Sequence, residues 1–270
     1  MSYAAPVTLL RLALRALLAG PGRLRGDAEA AVRRAARLRG GTWERGIDAL
    51  RARLAADETV IDVVDYGAGS SDGSGAQRRV CDVAARAGTG PAWGRFLTGL
   101  ARELAPRRVL ELGTNLGLGA AHLCAGLAET GSDARLVTLE GDPSFAAIAA
   151  DALETLGYAD RVDIVVGRFA DTLPGVCAAH GPFDLVFIDG HHAEQPALDY
   201  VATLRPHLAD GAVVVLDDVE PGRPVRRAWA RLAAEPGARR RYLGKLGLLH
   251  LPTRRTEGAA AAAPRSTVLT

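Results

Sequence analysis

Lysine is almost absent from this chain. Of 33 basic residues among 270, only Lys245 is lysine and the rest are arginine. That skew is read first as compositional bias, not as function. Charge of one sign is missing too, since the formal net charge is only +2. This argues against a nucleic-acid binder held by phosphate neutralisation. Cysteine is scarce, with Cys81, Cys124 and Cys177 alone. An odd count gives no disulfide framework, and none of the three stands at zinc-ligand spacing. They are read as small apolar fillers in a reducing, cytoplasmic setting. Long apolar runs are also lacking. Thr8–Leu18 is apolar but broken by Arg11 and Arg15, so it is neither a bilayer span nor the uninterrupted centre of a signal peptide. An amphipathic helix is expected there. It would pack on the body, pair with a second copy of the chain as a homo-oligomer contact, or lie on a membrane surface. What is plentiful is apolar material, 48% of the residues, enough for a sizeable core.

The chain divides into three parts. Residues 1–104 read as a mainly helical N-terminal extension, with helices expected at Val7–Ala19, Asp27–Leu38, Trp43–Ala56, Arg78–Ala87 and Pro91–Leu104. A β-prone run, Val60–Val64, interrupts them. Residues 105–252 alternate strand and helix. Strands are expected at Val109–Leu112, Leu136–Leu139, Val162–Val166, Leu185–Ile188 and Ala212–Leu216. Such alternation implies a parallel sheet covered on both faces. Asp142 and Pro143 can cap and open a helix whose apolar face runs from Phe145 to Leu156. Arg240–Leu243 and Leu248–Leu251 are too close together for a crossover helix and suggest an antiparallel hairpin. Residues 253–270 read as a mobile tail.

Two glycine loops compete for a cofactor. Asp65–Tyr66–Gly67–Ala68–Gly69–Ser70 has no helix start close behind it. It reads as a loop that covers the site, or as a surface turn. Glu111–Leu112–Gly113–Thr114–Asn115–Leu116–Gly117–Leu118–Gly119 follows an apolar strand and runs straight into an apolar helix. That order brings bare backbone close to a ligand and aims helix N–H groups at it. Glu140 follows the last glycine by about twenty residues, where a carboxylate can hold ribose hydroxyls. The dinucleotide fingerprint is Gly-x-Gly-x-x-Gly. Here Asn115 stands where its second glycine belongs, which favours a cofactor without a pyrophosphate, such as S-adenosylmethionine, over NAD.

Asp189 ends one strand and Asp217–Asp218 end the next. A right-handed crossover would set those ends side by side, where open α/β sheets bind ligands. Three carboxylates gathered there suit a hard cation such as Mg²⁺. Alternatively, Asp189 serves only the cofactor's amino group, and Asp217 or Asp218 is a cap.

Glu111–Gly117 resembles the first motif of class I S-adenosylmethionine-dependent methyltransferases, in the branch that includes the catechol-type O-methyltransferases. Phe183–Asp184–Leu185–Val186–Phe187–Ile188–Asp189–Gly190–His191–His192 is similar to a segment of the macrocin-type, metal-dependent sugar O-methyltransferases, as is Gly211–Val219 to their Asp-Asp ending. The resemblance covers about residues 105–252. It implies a Rossmann-like α/β fold: a seven-stranded methyltransferase sheet, mostly parallel, with the last strand reversed. It also implies roles. Gly113, Thr114, Asn115 and Gly117 of the Glu111–Gly119 turn would carry the methionine part of S-adenosylmethionine. Glu140, with Gly141 beside it, would bind the ribose, and Arg168 and Phe169 would flank adenine. Arg168 stands where many members carry an acidic residue. Asp189, Asp217 and Asp218 would hold Mg²⁺, with Asp189 serving the cofactor too. His192 would be the base, since neutral imidazole can take a hydroxyl proton near pH 7. Tyr66 and Trp93 would help wall the pocket for a small-molecule acceptor. Metal-independent transfer, a non-catalytic S-adenosylmethionine-binding protein and an NAD-dependent oxidoreductase stand as alternatives.

Overall fold

The computed structural model describes residues 26–38, 40–64, 66 and 75–252. The helix expected at Val7–Ala19, the Asp65–Ser70 loop apart from Tyr66, and the tail expected at 253–270 lie outside the described residues. Helices α1 (Gly26–Ala35) and α2 (Glu44–Ala56) come first. Strands β1 (Val60–Val64) and β2 (Gly75–Arg79) follow, then α3 (Val80–Ala87) and α4 (Pro91–Leu104). The alternating part runs β3 (Arg108–Leu112), α5 (Leu118–Glu129), β4 (Arg135–Glu140), α6 (Pro143–Thr155), β5 (Val162–Val166) and α7 (Phe169–His180). It continues with β6 (Phe183–Ile188), α8 (Glu194–Leu204), β7 (Leu208–Leu216), α9 (Pro224–Ala233), β8 (Arg239–Tyr242) and β9 (Gly247–His250).

Seven strands form one sheet in the order β5-β4-β3-β6-β7-β9-β8. Neighbours from β5 through β7 are parallel, and β9 runs antiparallel to both β7 and β8. This is the Rossmann-like α/β sheet with its last strand reversed. The central strands are buried on both faces, so their residues alternate between two cores instead of between core and water. Val109, Val213 and Val215 enter one core, while Leu110, Val214 and Leu216 enter the other.

The helical segment before β3 shares the first of these cores. Phe96, Leu97 and Leu100 of α4 pack with Leu123 and Leu127 of α5 in the same cluster as Val109. Gly126 lies so near the Thr98 carbonyl that a Cβ would come within 2.3 Å. Only hydrogen at that position lets the two helices ride backbone to backbone. Most of the buried apolar residues described before β3 thus belong to the same core as the sheet.

One expected element is shifted. The helix foreseen from Arg78 begins at Val80, because Gly75–Arg79 pairs antiparallel with Val60–Val64. Residues 76–79 are all exposed, so no period-two pattern marks the strand. Two side chains at the start of α6 hold this hairpin: the Ser144 hydroxyl donates to Asp62 O at 2.8 Å, and the Asp142 carboxylate makes the second tie. Asp142 Oδ1 accepts the Phe145 N–H at 2.8 Å and caps α6, and its Oδ2 accepts the Val64 N–H of β1. Losing the cap costs about 1 kcal/mol, and orphaning a buried N–H costs about 1–3 kcal/mol more. Asp142→Ala is accordingly expected to lower unfolding free energy by about 2–4 kcal/mol in urea titration, and Asp142→Asn, which keeps the cap acceptor but turns an amide NH2 toward the Val64 N–H, by about 1–3 kcal/mol. Equal losses in the two variants would show that the hydrogen bonds are not the cause.

Candidate active site

Register brings the site together. Leu112 pairs with both Leu139 and Ile188, and Ile188 pairs with Leu216. The residues one step beyond these pairs therefore meet at the sheet's C-terminal edge: Gly113, Glu140, Asp189 and Asp217. Backbone ladders extend into them, with Gly113 N–H on Leu139 O at 2.9 Å, Asp189 N–H on Leu112 O at 2.8 Å and Asp217 N–H on Ile188 O at 3.0 Å. The order reverses between β3 and β6, the place where open α/β sheets leave a crevice. A cleft of about 970 Å³ opens there.

One half of the cleft is the glycine loop. Gly113 has φ +103°, and a Cβ on it would sit 2.6 Å from the Asp189 carbonyl oxygen. Asn115 is also left-handed, and its N–H donates to Glu140 Oε2 at 2.6 Å. Glu140 Oε1 accepts the Asp142 N–H at 2.9 Å. Burial raises the Glu140 pKa, while these two backbone donors oppose the shift. Each oxygen keeps a lone pair for a further donor. Arg168 and Phe169 stand at the start of α7 on the cleft wall. The Arg168 guanidinium lies 5.5 Å from the centre of the Tyr66 ring. Gly141 passes close to Tyr66, where a Cβ would come within 3.0 Å of the ring. Thr114 and Trp93 line the cleft as well.

Glu111 and Gly117 do not line it. Glu111 is fully buried beneath the loop, where the Thr138 hydroxyl donates to its Oε2 at 2.7 Å. Gly119 makes room for it, since a Cβ there would come within 2.5 Å of Glu111 Oε1. Burial, opposed by the Thr138 bond and aided by the Glu140 charge, pushes the Glu111 pKa up to about 8. Gly117, at φ +86°, is the residue from which α5 starts.

The other half is polar. Asp189, Asp217, Asp218, His191, His192 and Lys245 all face the cleft. His192 Nε2 lies 3.8 Å from Asp189 Oδ1, and its Nδ1 lies 3.5 Å from Asp218 Oδ2. His191 Nδ1 lies 3.2 Å from the hydroxyl of Tyr200, which lines the cleft as well. Among the described residues, Asn115, His191 and Asp218 are three of the four non-glycine residues with positive φ. Backbone strain of this kind persists where the surroundings impose it, commonly at functional sites. Burial and then the Asp217 charge raise the Asp189 pKa well above its ordinary value. Burial pushes the Tyr200 phenol up to about 12, so it stays neutral.

Lys245 is the residue that sequence reading missed. It sits in the turn between β8 and β9, where Gly244 has φ +96° and the Leu243 N–H donates to Leu246 O at 2.9 Å. Because β9 is reversed, its first residue, Gly247, pairs with Leu216, the last of β7. The turn thus arrives beside Asp217. Lys245 Nζ donates to Asp217 Oδ2 and lies 3.2 Å from Asp218 Oδ1. Burial works against its charge, but Asp217, Asp189 and Asp218 outweigh it and raise the Lys245 pKa. Arg223 holds Asp218 Oδ2. The available signal was compositional: one lysine in a chain that otherwise uses arginine.

The cleft fits S-adenosylmethionine: Gly113, where a Cβ would meet the Asp189 carbonyl, lets the loop lie against β6 at the cleft floor, and Glu140 lines the cleft as an acceptor. A divalent ion fits less well. The three carboxylates expected to hold one do converge, but Lys245 already bridges two of them. Among the described residues no group of three or more His, Cys, Asp or Glu is arranged to hold a metal. A dication about 4 Å from the ammonium would meet a repulsion of about 8 kcal/mol at an effective dielectric of about 20.

Residues 110–219 match the family described as "Methyltransferase domain". The catechol O-methyltransferase of Mycobacterium tuberculosis is 43% identical over 129 residues, covering 48% of this chain and 56% of that protein. The chain spans between half and two thirds of the length of the curated relatives it matches. Among solved structures, cofactor-bound Rv0187 from MTB is 33% identical with TM-score 0.54, covering 63% of this chain and 84% of that one. The O-methyltransferase TomG from Streptomyces achromogenes, in complex with SAM, is 33% identical with TM-score 0.52, covering 61% and 81%. No described helix is long and apolar enough to cross a membrane.

Proposed function

Since the chain belongs to the class I S-adenosylmethionine-dependent O-methyltransferases, we propose that it methylates a hydroxyl of a small molecule, with His192 as the base. The Gly113–Asn115 backbone would hold the methionine part of the cofactor, Glu140 the ribose, and Arg168 and Phe169 the adenine. When bound, S-adenosylmethionine supplies an electrophilic methyl group on a good leaving group, sulfur. The chain must then align the acceptor oxygen and take its proton. Three nearby groups are poor proton acceptors. Lys245 is held as ammonium, Tyr200 as phenol, and the raised pKa of Asp189 favours its protonated form. His192 has a side chain 42% exposed and its ring between Asp189 and Asp218. The Asp218 carboxylate, 3.5 Å from Nδ1, would stabilise the imidazolium that forms. The placement of His192 at the polar end, across the cleft from the glycine loop, is the observation that carries this reading. No step passes through a divalent ion.

A catechol is the first acceptor to try, since several relatives are named catechol O-methyltransferase. Calorimetric titration should show S-adenosylhomocysteine binding and no NAD binding. General-base catalysis contributes about a hundredfold or more. His192→Gln should therefore cut methyl transfer by about a hundredfold with S-adenosylhomocysteine affinity unchanged. A loss confined to cofactor binding would overturn the assignment.

A further inference from the structure

Lys245 is the sole lysine of the chain, and it stands where three carboxylates meet. Arginine carries every other basic role. A guanidinium is a planar fork that pairs side-on with one carboxylate, whereas an ammonium is a compact charge with three diverging donors. Lys245 Nζ uses one donor on Asp217 Oδ2 and another on Asp218 Oδ1. The third remains for an oxygen in the cleft, which the side chain lines while 32% exposed. Asp217 Oδ1 is buried with no hydrogen-bond partner, so this end of the cleft has unused acceptor capacity as well. The two acids that Lys245 contacts directly are also matched in charge. Asp217 and Asp218 bring two negative charges, and Lys245 and Arg223 bring two positive ones.

We propose that the Lys245 ammonium takes the place a divalent cation would fill: it neutralises Asp217 and Asp218 and donates to the acceptor's hydroxyl oxygen, so that methyl transfer here needs no metal. This rests on the reading of the cleft as a hydroxyl-methylating site. The hydroxyl proton goes to His192, the oxygen's electron pair forms the new O–CH₃ bond, and the S–CH₃ pair leaves with sulfur. Lys245 keeps its proton throughout. It lowers the cost of negative charge on oxygen as the proton departs, which is the effect oriented donors have in a water-poor site.

The test uses the purified full chain and Mn²⁺ as the probe, read by electron paramagnetic resonance. The wild type should bind no Mn²⁺ up to about 1 mM, the weak end of protein cation sites. Lys245→Met should bind it at least about tenfold more tightly, because the repelling charge is gone. Sub-millimolar Mn²⁺ binding by the wild type, or its failure to appear in Lys245→Met, overturns the proposal. The wild-type arm needs no variant, and S-adenosylhomocysteine binding by Lys245→Met checks that the variant is folded. Methyl transfer gives a second readout. Wild-type turnover should be unchanged in chelator, and Lys245→Met should lose about tenfold or more. Chelator-sensitive turnover would also overturn the proposal. If S-adenosylmethionine binds but no hydroxyl is ever methylated, the methyl-transfer reading fails instead, and the Mn²⁺ comparison still decides what fills the cation position.

Discussion

Glu140→Ala is expected to weaken S-adenosylhomocysteine binding about a hundredfold in calorimetric titration, with the sheet intact. Hydrogen bonds to a charged group are worth about 1.5–3 kcal/mol each. Glu140 has one free acceptor position on each oxygen once Asn115 N–H and Asp142 N–H are counted. Two vicinal ribose hydroxyls would use both, so removal costs two such bonds. The substitution also frees the Asn115 N–H, whose bond to Glu140 pins the left-handed residue in the middle of the cofactor loop. Both effects act on the same ligand. Glu140→Gln keeps the shape and one acceptor, and should lose about tenfold. Because the Glu140 pKa is raised by burial, wild-type affinity should fall as pH drops through that raised value. The Glu140→Gln variant should not share that fall. Unchanged affinity in Glu140→Ala would place the ribose elsewhere.

Several parts of this site were legible in the sequence because they are local. Asp142–Pro143 announced a helix, and the cap is there. The apolar runs of β3, β4, β6 and β7 could be found because strands buried on both faces read as continuous hydrophobic stretches. Their order along the chain, with the crossover rule, was enough to bring Asp189 beside Asp217. What could not be read was set by long-range register. Lys245 reaches Asp217 only because β9 is reversed and inserted between β7 and β8, and no residue pattern near Lys245 states that. The β2 strand was hidden because its residues pair with β1 while facing water on both sides, so neither periodicity marks it. Glu111 was misplaced for a related reason. As the acidic residue of the glycine motif it looked like a ligand-binding group, but strand alternation turns it down beneath α5, where it meets Thr138 instead of the cleft.

That burial makes Glu111 the source of a second large effect. Its folded pKa is about 8, against an ordinary value of 4.5. A raised carboxyl pKa means that the folded chain keeps a proton the unfolded chain releases. Below pH 4.5 both states hold it, and the residue adds no pH dependence. Between pH 4.5 and 8 the unfolded state is favoured more with each step, so stability falls as pH rises. Above pH 8 both states have released it and the fall stops. At about 1.4 kcal/mol per unit of difference, the total is about 5 kcal/mol. Glu111→Gln removes the proton from this balance while keeping the side chain's shape and an acceptor for the Thr138 hydroxyl. Its stability relative to wild type should therefore improve by about 3 kcal/mol between pH 5 and pH 8, read from denaturant titrations at the two values. Taking the difference between variant and wild type cancels the histidines and the other carboxylates, which titrate in both proteins. The absolute offset at pH 5 reports a separate quantity, the fit of an amide where Glu111 Oε1 has no hydrogen-bond partner and Gly119 leaves little room. A variant whose stability parallels wild type across this range would mean that Glu111 ionises in the folded chain as it does in water, and that the space beneath the loop is wetter than its packing indicates.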